Sequence, residues 1–365
     1  MIIELADTTA SQISQALLRA RRSAGSPAMG MVMTMVVVCD EKTFESALAD
    51  STKAGREHPS RILLVVRRPG RRAGLDAEVR VGDGAPGETV ILWLHGPVAD
   101  HADGVVLPLL LPDTPVVVWW PGRAPEVAAE DPVGELGNRR ITDSGSAAQL
   151  INRARHTRPG DSDLAWTRLT AWRALLAAAL DQYPAHILSA TVAARRGSAS
   201  ALLLAAWLED RLGVPVRLRT SGGPGITDVR MTTAAGDIAI SRENGVLADY
   251  TVPGQPLRQV ALKRRPITEL LAEELRRMDP DQIYETAAAG VVARAARAEA
   301  AGPRRSAKAP ASKPTARKAP AKKAAAKKAV AKKAPAKKTP AKKAPAKKTA
   351  AKRTTRKTTG SRRGS

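Results

Sequence analysis

The sequence predicts an α/β protein of two units, each a mixed sheet covered by helices, followed by a disordered basic C-terminal tail. Three observations carry that prediction. Over the first 160 residues, valine-rich apolar runs alternate with segments of helical spacing, the pattern of strands buried on both faces. Around Pro159-Gly160-Asp161 the pattern turns helical before shorter strands resume, which assigns residues 1–160 to an N-terminal unit and 161–302 to a C-terminal unit ending in helices. From 303 to 365 the composition obeys different rules altogether.

Asp7-Thr8-Thr9 offers N-cap oxygens before Ala10, Ile13, Leu17 and Ala20 at helical spacing, and Arg19, Arg21 and Arg22 suit the carboxyl end of that helix. Met29 to Val38 is a continuous apolar run and reads as a buried strand. Glu41 to Ala54 reads as a helix and Arg61 to Val66 as a second buried strand. Asp76 to Val81 alternates as a half-buried strand should, and Thr89 to Leu94 and Pro115 to Trp120 supply further strands. In the second unit, Asp161 or Asp163 caps a helix carrying Leu169, Trp172, Leu176 and Leu180, which Tyr183-Pro184 ends. His186 to Ala193 reads as a strand, and Ser198 to Leu212 as a helix stopped by Gly213. Val214–Arg219 and Val229–Thr233 read as paired strands across the loop SGGPGITD, with Asp237–Arg242 as a third. Thr268 is expected to cap a helix bearing Leu270, Leu271, Leu275 and Met278, and Asp279-Pro280 to end it and start the last one.

The chain's 365 residues include 59 Lys plus Arg and 35 Asp plus Glu, a formal net charge of +24. No acidic residue follows Glu299, and 24 of the basic ones lie from Pro303 onward, so residues 1–302 balance at 35 of each sign. The tail repeats every five residues around lysine pairs: Lys322, Lys323, Lys327, Lys328, Lys332, Lys333, Lys337, Lys338, Lys342, Lys343, Lys347 and Lys348. Without aromatic residues and nearly without large aliphatic ones, it cannot offset the conformational entropy of folding. Its charge suits polyanions, nucleic acid or an acidic surface, through counterion release and without sequence preference. Lys/Ala/Pro tails of this kind resemble those of linker histones. A nucleoid-associated protein acting through this tail is therefore the alternative to any function carried by the balanced body.

One cysteine, Cys39, excludes an intramolecular disulfide scaffold. The start MIIELADTT has no signal-peptide pattern, and the apolar stretch Gly104–Trp120 is too short and too proline-broken to cross a bilayer, so a soluble cytoplasmic protein without membrane contact is expected. No catalytic, cofactor or metal constellation stands out. His95 to Asp103 (HGPVADHAD) matches no zinc or calcium spacing, and SGGPGITD lacks the lysine and hydroxyl of a phosphate loop and reads as a hairpin loop. Arg195-Arg196-Gly197-Ser198 at a helix start could hold an anion through main-chain N–H groups, charge and helix dipole, against the plainer reading of a solvated cap. Trp119 and Trp120 face opposite sides of a strand. If one is core the other points towards a helix, a ligand or a partner, which makes the pair the candidate partner-binding site against packing on both faces.

In order along the chain, MIIELADTTASQISQALLRAR, MVMTMVVVCD, EHPSRILLVV, LPDTPVVVWWPG, RRITDS, ALLLAAWLEDRLG and TELLAEELRRMDPDQIYETA together resemble the OpcA family, glucose-6-phosphate dehydrogenase assembly proteins of actinobacteria and cyanobacteria. The resemblance spans nearly all of residues 1–300. It implies a non-catalytic partner of glucose-6-phosphate dehydrogenase that promotes assembly or allosteric activation, in support of the oxidative pentose phosphate pathway and NADPH supply. It also implies an N-terminal assembly domain followed by a C-terminal domain. Thioredoxin-linked redox control is associated with cysteines in the cyanobacterial branch; with Cys39 alone, only a mixed or intersubunit disulfide remains open. The Lys/Ala/Pro tail departs from the family pattern.

Overall fold

The first sheet is laid down by β1 (Ile2–Leu5), α1 (Ala10–Ala24), β2 (Met33–Asp40), α2 (Phe44–Ala54), β3 (Ser60–Arg68), β4 (Gly74–Val81) and β5 (Gly87–His95). It is completed by α3 (Ala102–Val106), β6 (Val116–Trp119), α4 (Pro132–Glu135), β7 (Arg139–Thr142), α5 (Ala147–Arg155) and β8 (Asp161–Asp163). Its strand order is β1-β4-β5-β3-β2-β6-β7-β8, parallel from β5 to β8 and antiparallel only where β4 meets β5 and β1. The computed structural model describes residues 1–24, 30–82 and 87–301; the tail with its lysine pairs lies outside the described residues. Among the described residues no helix is long and apolar enough to cross a membrane.

The two faces of this sheet are read directly from the alternation of its strands. Val36, Val38, Leu63, Val65, Val90 and Leu92 point to one core, with Ile13, Ala16, Leu17 and Ala20 of α1 against them. Met35, Val37, Ile62, Leu64, Val66 and Ile91 point to the other, covered by Ala47 and Ala54 of α2. β4 alternates in burial along its whole length, as its sequence predicts. β2 starts four residues later than its apolar run, because its pairing begins at Met33 with Ser60 and Gly30 turns the chain with φ +118°.

Trp119 and Trp120 continue this alternation. Trp119 joins the core under α2 and Trp120 the core under α1, each 1% exposed. The structure thus corrects the partner-facing expectation. Helices close the cores on both sides of the sheet, α1 on one and α2 with the later helix Ile267–Glu274 on the other, so both rings are core.

The second sheet follows α6 (Leu164–Thr167) and α7 (Thr170–Gln182), and contains β9 (Ser189–Ala194), β10 (Val216–Thr220), β11 (Ile226–Thr233), β12 (Gly236–Ser241), β13 (Leu247–Thr251) and β14 (Arg258–Ala261). Helix α8 (Ala199–Leu212) lies between β9 and β10 in sequence, and α9 (Ile267–Glu274) and α10 (Gln282–Ala300) close the fold. The order β10-β9-β11-β12-β13-β14 overturns the hairpin reading of SGGPGITD. Because α8 carries the chain back across the sheet, β10 runs parallel to β9, and β11 pairs antiparallel with the opposite edge of β9. The glycine-rich loop therefore crosses the end of β9.

Helix ends obey local chemistry with two corrections. Ser198 Oγ accepts from Ala201 N and Gly213 terminates α8 at φ +66°, both as expected. Thr268 lies inside α9, whose N-cap position is Pro266, and Asp281 caps α10 by accepting from Ile283 N and Tyr284 N, in place of Asp279. The single helix expected after Asp161 is two: Asp163 caps α6 through Ala165 N, and a tight Leu169 N to Trp166 O bond turns the chain into α7.

The sheets are laced together by exchanged helices. Leu150 and Ala154 of α5 pack in the core of the second sheet, whereas Leu270, Leu271 and Leu275 of α9 pack on the first beside α2.

Cys39 sits buried at the end of β2, and burial together with the Asp40 carboxylate pushes its thiol up to about 12. Iodoacetamide near pH ~8 is therefore expected to leave it unlabelled in the folded chain over a period that labels it fully in denaturant. Stoichiometric labelling of the native protein, read by intact mass, would contradict this.

Candidate functional site

The start of α8 and the loop after β10 meet where β9 ends. Arg195 N donates to Gly225 O at 2.8 Å, which seats the glycine-rich loop against the residues that precede α8. Thr227 Oγ1 ties the same loop down by donating to Ala193 O at 3.2 Å and sharing a hydrogen bond of 2.7 Å with Ser221 Oγ. Gly225 has φ +75°, a left-handed conformation that a residue with a side chain would adopt only under strain. These contacts frame a recess of about 380 Å³.

Its walls come from six separated segments: Asp143 and Ser144 after β7, Arg168 and Trp172 around the start of α7, Arg195 and Ser198 before α8, Pro224–Ile226 of the glycine-rich loop, Arg242 after β12, and Leu262–Arg265 before α9. Of the expected anion-binding residues, Arg195 and Ser198 line the recess; Arg196 and Gly197 do not. Spacing in sequence carried no sign that Arg168, Arg242 and Arg264 join them. Only the second sheet brings them together.

Three guanidinium groups differ from the rest in their counter-charges. Arg168 holds Asp143 with two bonds of 2.6 and 2.7 Å, Arg265 pairs with Glu273, and exposed Lys263 lies 3.4 Å from exposed Glu269. Burial opposes the charge on Arg168, but the hydrogen bonds and charge of Asp143 outweigh it and raise its pKa. Arg195, Arg242 and Arg264 have no carboxylate partner among the described residues. Arg242 is 6% exposed and holds its plane by donating from Nη1 to Leu262 O (2.7 Å) and from Nη2 to Ile226 O (3.1 Å). Its Nε has no hydrogen-bond partner, and the guanidinium carbon lies 5.0 Å from the centre of the Trp172 ring. Burial first, and then the Arg264 charge, lower its pKa.

Beneath the recess, Asp163 organises the loop that carries Ser144. The carboxyl is 0% exposed and accepts from Thr142 Oγ1 and Ser144 Oγ (2.7 Å each), Ala165 N (2.9 Å) and Ser144 N (3.1 Å). Arg153 Nη1 donates to Ser144 Oγ at 2.8 Å. Desolvation outweighs these bonds and raises the pKa of Asp163 above the ordinary 3.8. A folded-state value above the unfolded one favours the protonated fold. The contribution is complete below the unfolded pKa and is lost as pH rises through the folded one. The melting temperature of Asp163→Asn minus that of the parent should accordingly increase with pH across that window; a constant difference would refute the assignment.

The lining contains no His or Cys, and its one carboxylate is held by Arg168. The arrangement is suited to holding an anion and offers no paired general acid and base. His95, at the end of β5, bonds Asp76 at 3.0 Å, and among the described residues no group of three His, Cys, Asp or Glu could hold a metal ion.

Two family profiles match the chain in adjoining segments. Residues 51–158 match the profile described as the N-terminal domain of the glucose-6-phosphate dehydrogenase subunit, and residues 159–288 match the one described as its C-terminal domain. No curated protein matches the chain. Among solved structures it is similar to an oxidoreductase from Sinorhizobium meliloti, at 12% identity over 74% of this chain and 89% of that one, with a TM-score of 0.37. It is also similar to an inositol dehydrogenase homolog complexed with NADH and myo-inositol from Azotobacter vinelandii, at 10% identity over 76% and 91%, with a TM-score of 0.36. Likeness at that level carries no weight for the activity of this chain.

Proposed function

Because the chain belongs to the OpcA family of glucose-6-phosphate dehydrogenase subunits, we propose that it is a non-catalytic cytoplasmic subunit that associates with glucose-6-phosphate dehydrogenase and favours its active oligomer or conformer. The observation that carries this reading is the pair of adjoining domain matches, which together run from residue 51 to 288. The lining of the basic recess, with no acid–base pair, is in keeping with a binding role. Through that association the protein would support the NADPH-forming entry to the oxidative pentose phosphate pathway.

An effector of this kind acts only through its differential affinity for two states of the enzyme, and couplings of that origin amount to roughly 5- to 150-fold in an equilibrium constant. Dehydrogenase kinetics and light-scattering mass, with and without an equimolar amount of the full chain, provide the test. The expected result is a lower KM or a higher kcat together with a change in oligomeric mass. Unchanged KM, kcat and mass would sink the proposal.

A further inference from the structure

We propose that the recess at the start of α8 is a binding site for a phosphomonoester of a small hydroxyl-bearing molecule. The assignment stands on the chain's own geometry and does not depend on the dehydrogenase partner.

The charge distribution selects the ligand's sign. Arg195, Arg242 and Arg264 converge on one recess without a carboxylate partner among the described residues, whereas Arg168 and Arg265 beside them are each neutralised. Arg242 is the decisive member. An arginine only 6% exposed, pinned by two carbonyl oxygens and with the like charge of Arg264 beside it, carries a desolvation cost that a bound dianion would offset. Its fixed plane also suits bidentate recognition of a phosphate.

The helix contributes independently. α8 is 14 residues long, and Ala199 and Ser200, whose N–H groups precede its first intrahelical bonds, line the recess. Those groups and the positive end of the helix dipole favour the same charge.

Size and lining select an ester over the free ion. A volume of about 380 Å³ falls within the ~300–1,000 Å³ typical of small-molecule pockets and is more than a phosphate group fills. Leu169, Trp172 and Ile226 supply an apolar wall, and the Ser144 hydroxyl and Asp143 carboxylate can meet hydroxyl groups on the remainder of the ligand.

Calorimetric titration of the full chain alone, near physiological salt, tests the proposal with three probes: a hexose 6-phosphate, the unphosphorylated hexose, and inorganic phosphate. The comparison is with Arg195→Ala/Arg264→Ala, which keeps the basic tail and changes two exposed side chains that form no ion pair among the described residues. The expected result is one saturable site for the hexose phosphate, weaker binding of inorganic phosphate and none of the hexose. In the variant that affinity should fall by about tenfold or more at an unchanged melting temperature. Arg195→Glu should abolish the site by charge reversal. Equal affinity in parent and variants would place the binding in the tail, equal affinity for phosphate and ester would mean an adventitious ion only, and no saturable binding would remove the site; each overturns the assignment. Since no dehydrogenase is present, any of these failures leaves the family-based function standing.

Discussion

Replacing Glu274 by alanine is expected to destabilise the fold by about 3–5 kcal/mol, because it strands a buried cation. Glu274 on α9 is 6% exposed and its Oε2 accepts from both Nε and Nη2 of Arg139, itself 3% exposed on β7. The second oxygen accepts from Thr167 Oγ1 at the end of α6, and Arg139 Nη1 reaches Asp279 O at 3.0 Å beyond α9. One carboxylate thus fastens α9 to the first sheet and to the segment that leads into α7. Alanine removes it and leaves the Arg139 charge buried with a single carbonyl. The double variant Arg139→Met/Glu274→Leu should recover most of the loss, since a well-packed apolar pair can replace a buried ion pair at little cost. Urea unfolding of the parent and the two variants checks this. A Glu274→Ala midpoint within error of the parent would show that the pair contributes nothing. α9 follows directly on Lys263–Arg265, and Arg265 also donates to Thr167 O, so loosening α9 should weaken anion binding in the recess as a secondary effect.

Trp120→Ala should cost a similar amount, about 3–5 kcal/mol, for a different reason. The ring is 1% exposed in a core with Val118, Ala128 and Val133, and its edge sits where a Cβ on Gly134 would come within 3.3 Å. Removing it leaves a cavity that the backbone of β6, paired on both sides, cannot collapse to fill. The result also discriminates between the two readings of this residue. A partner-facing tryptophan would leave stability within about 0.5 kcal/mol and reduce only the effect on the dehydrogenase. A core tryptophan lowers the unfolding midpoint whether or not a partner is present. Denaturant unfolding at constant slope separates these outcomes.

How much of this was legible beforehand differs from element to element. The strands β2, β3, β5 and β6 contain continuous apolar runs, β4 alternates, and the ends of α8 carry a capping serine and a stopping glycine, so period and cap chemistry suffice there. β8 and α6 were not separable from α7, because Asp161 to Asp163 is too short to show a period and its pairing with β7 is 21 residues distant. The anion site was half visible: Arg195 and Ser198 advertise a helix start, while Arg168, Arg242 and Arg264 have no local signature.

The sequence alone determined which residues of the first sheet share a face, since side chains alternate along a strand whatever lies above it. It determined equally the balance of charge in the body and the confinement of the excess to the tail. Tertiary structure decided what lies above each face. α9, some 150 residues further along the chain, joins α2 in closing the core in which Trp119 is buried. It also decided that β10 and β11, consecutive in the chain, flank β9 instead of pairing, because the α8 crossover returns the chain parallel to its starting strand. The recess is a product of that crossover. Its cations are assembled by pairing and packing across up to 97 residues of separation, and spacing along the chain carries no record of such distances.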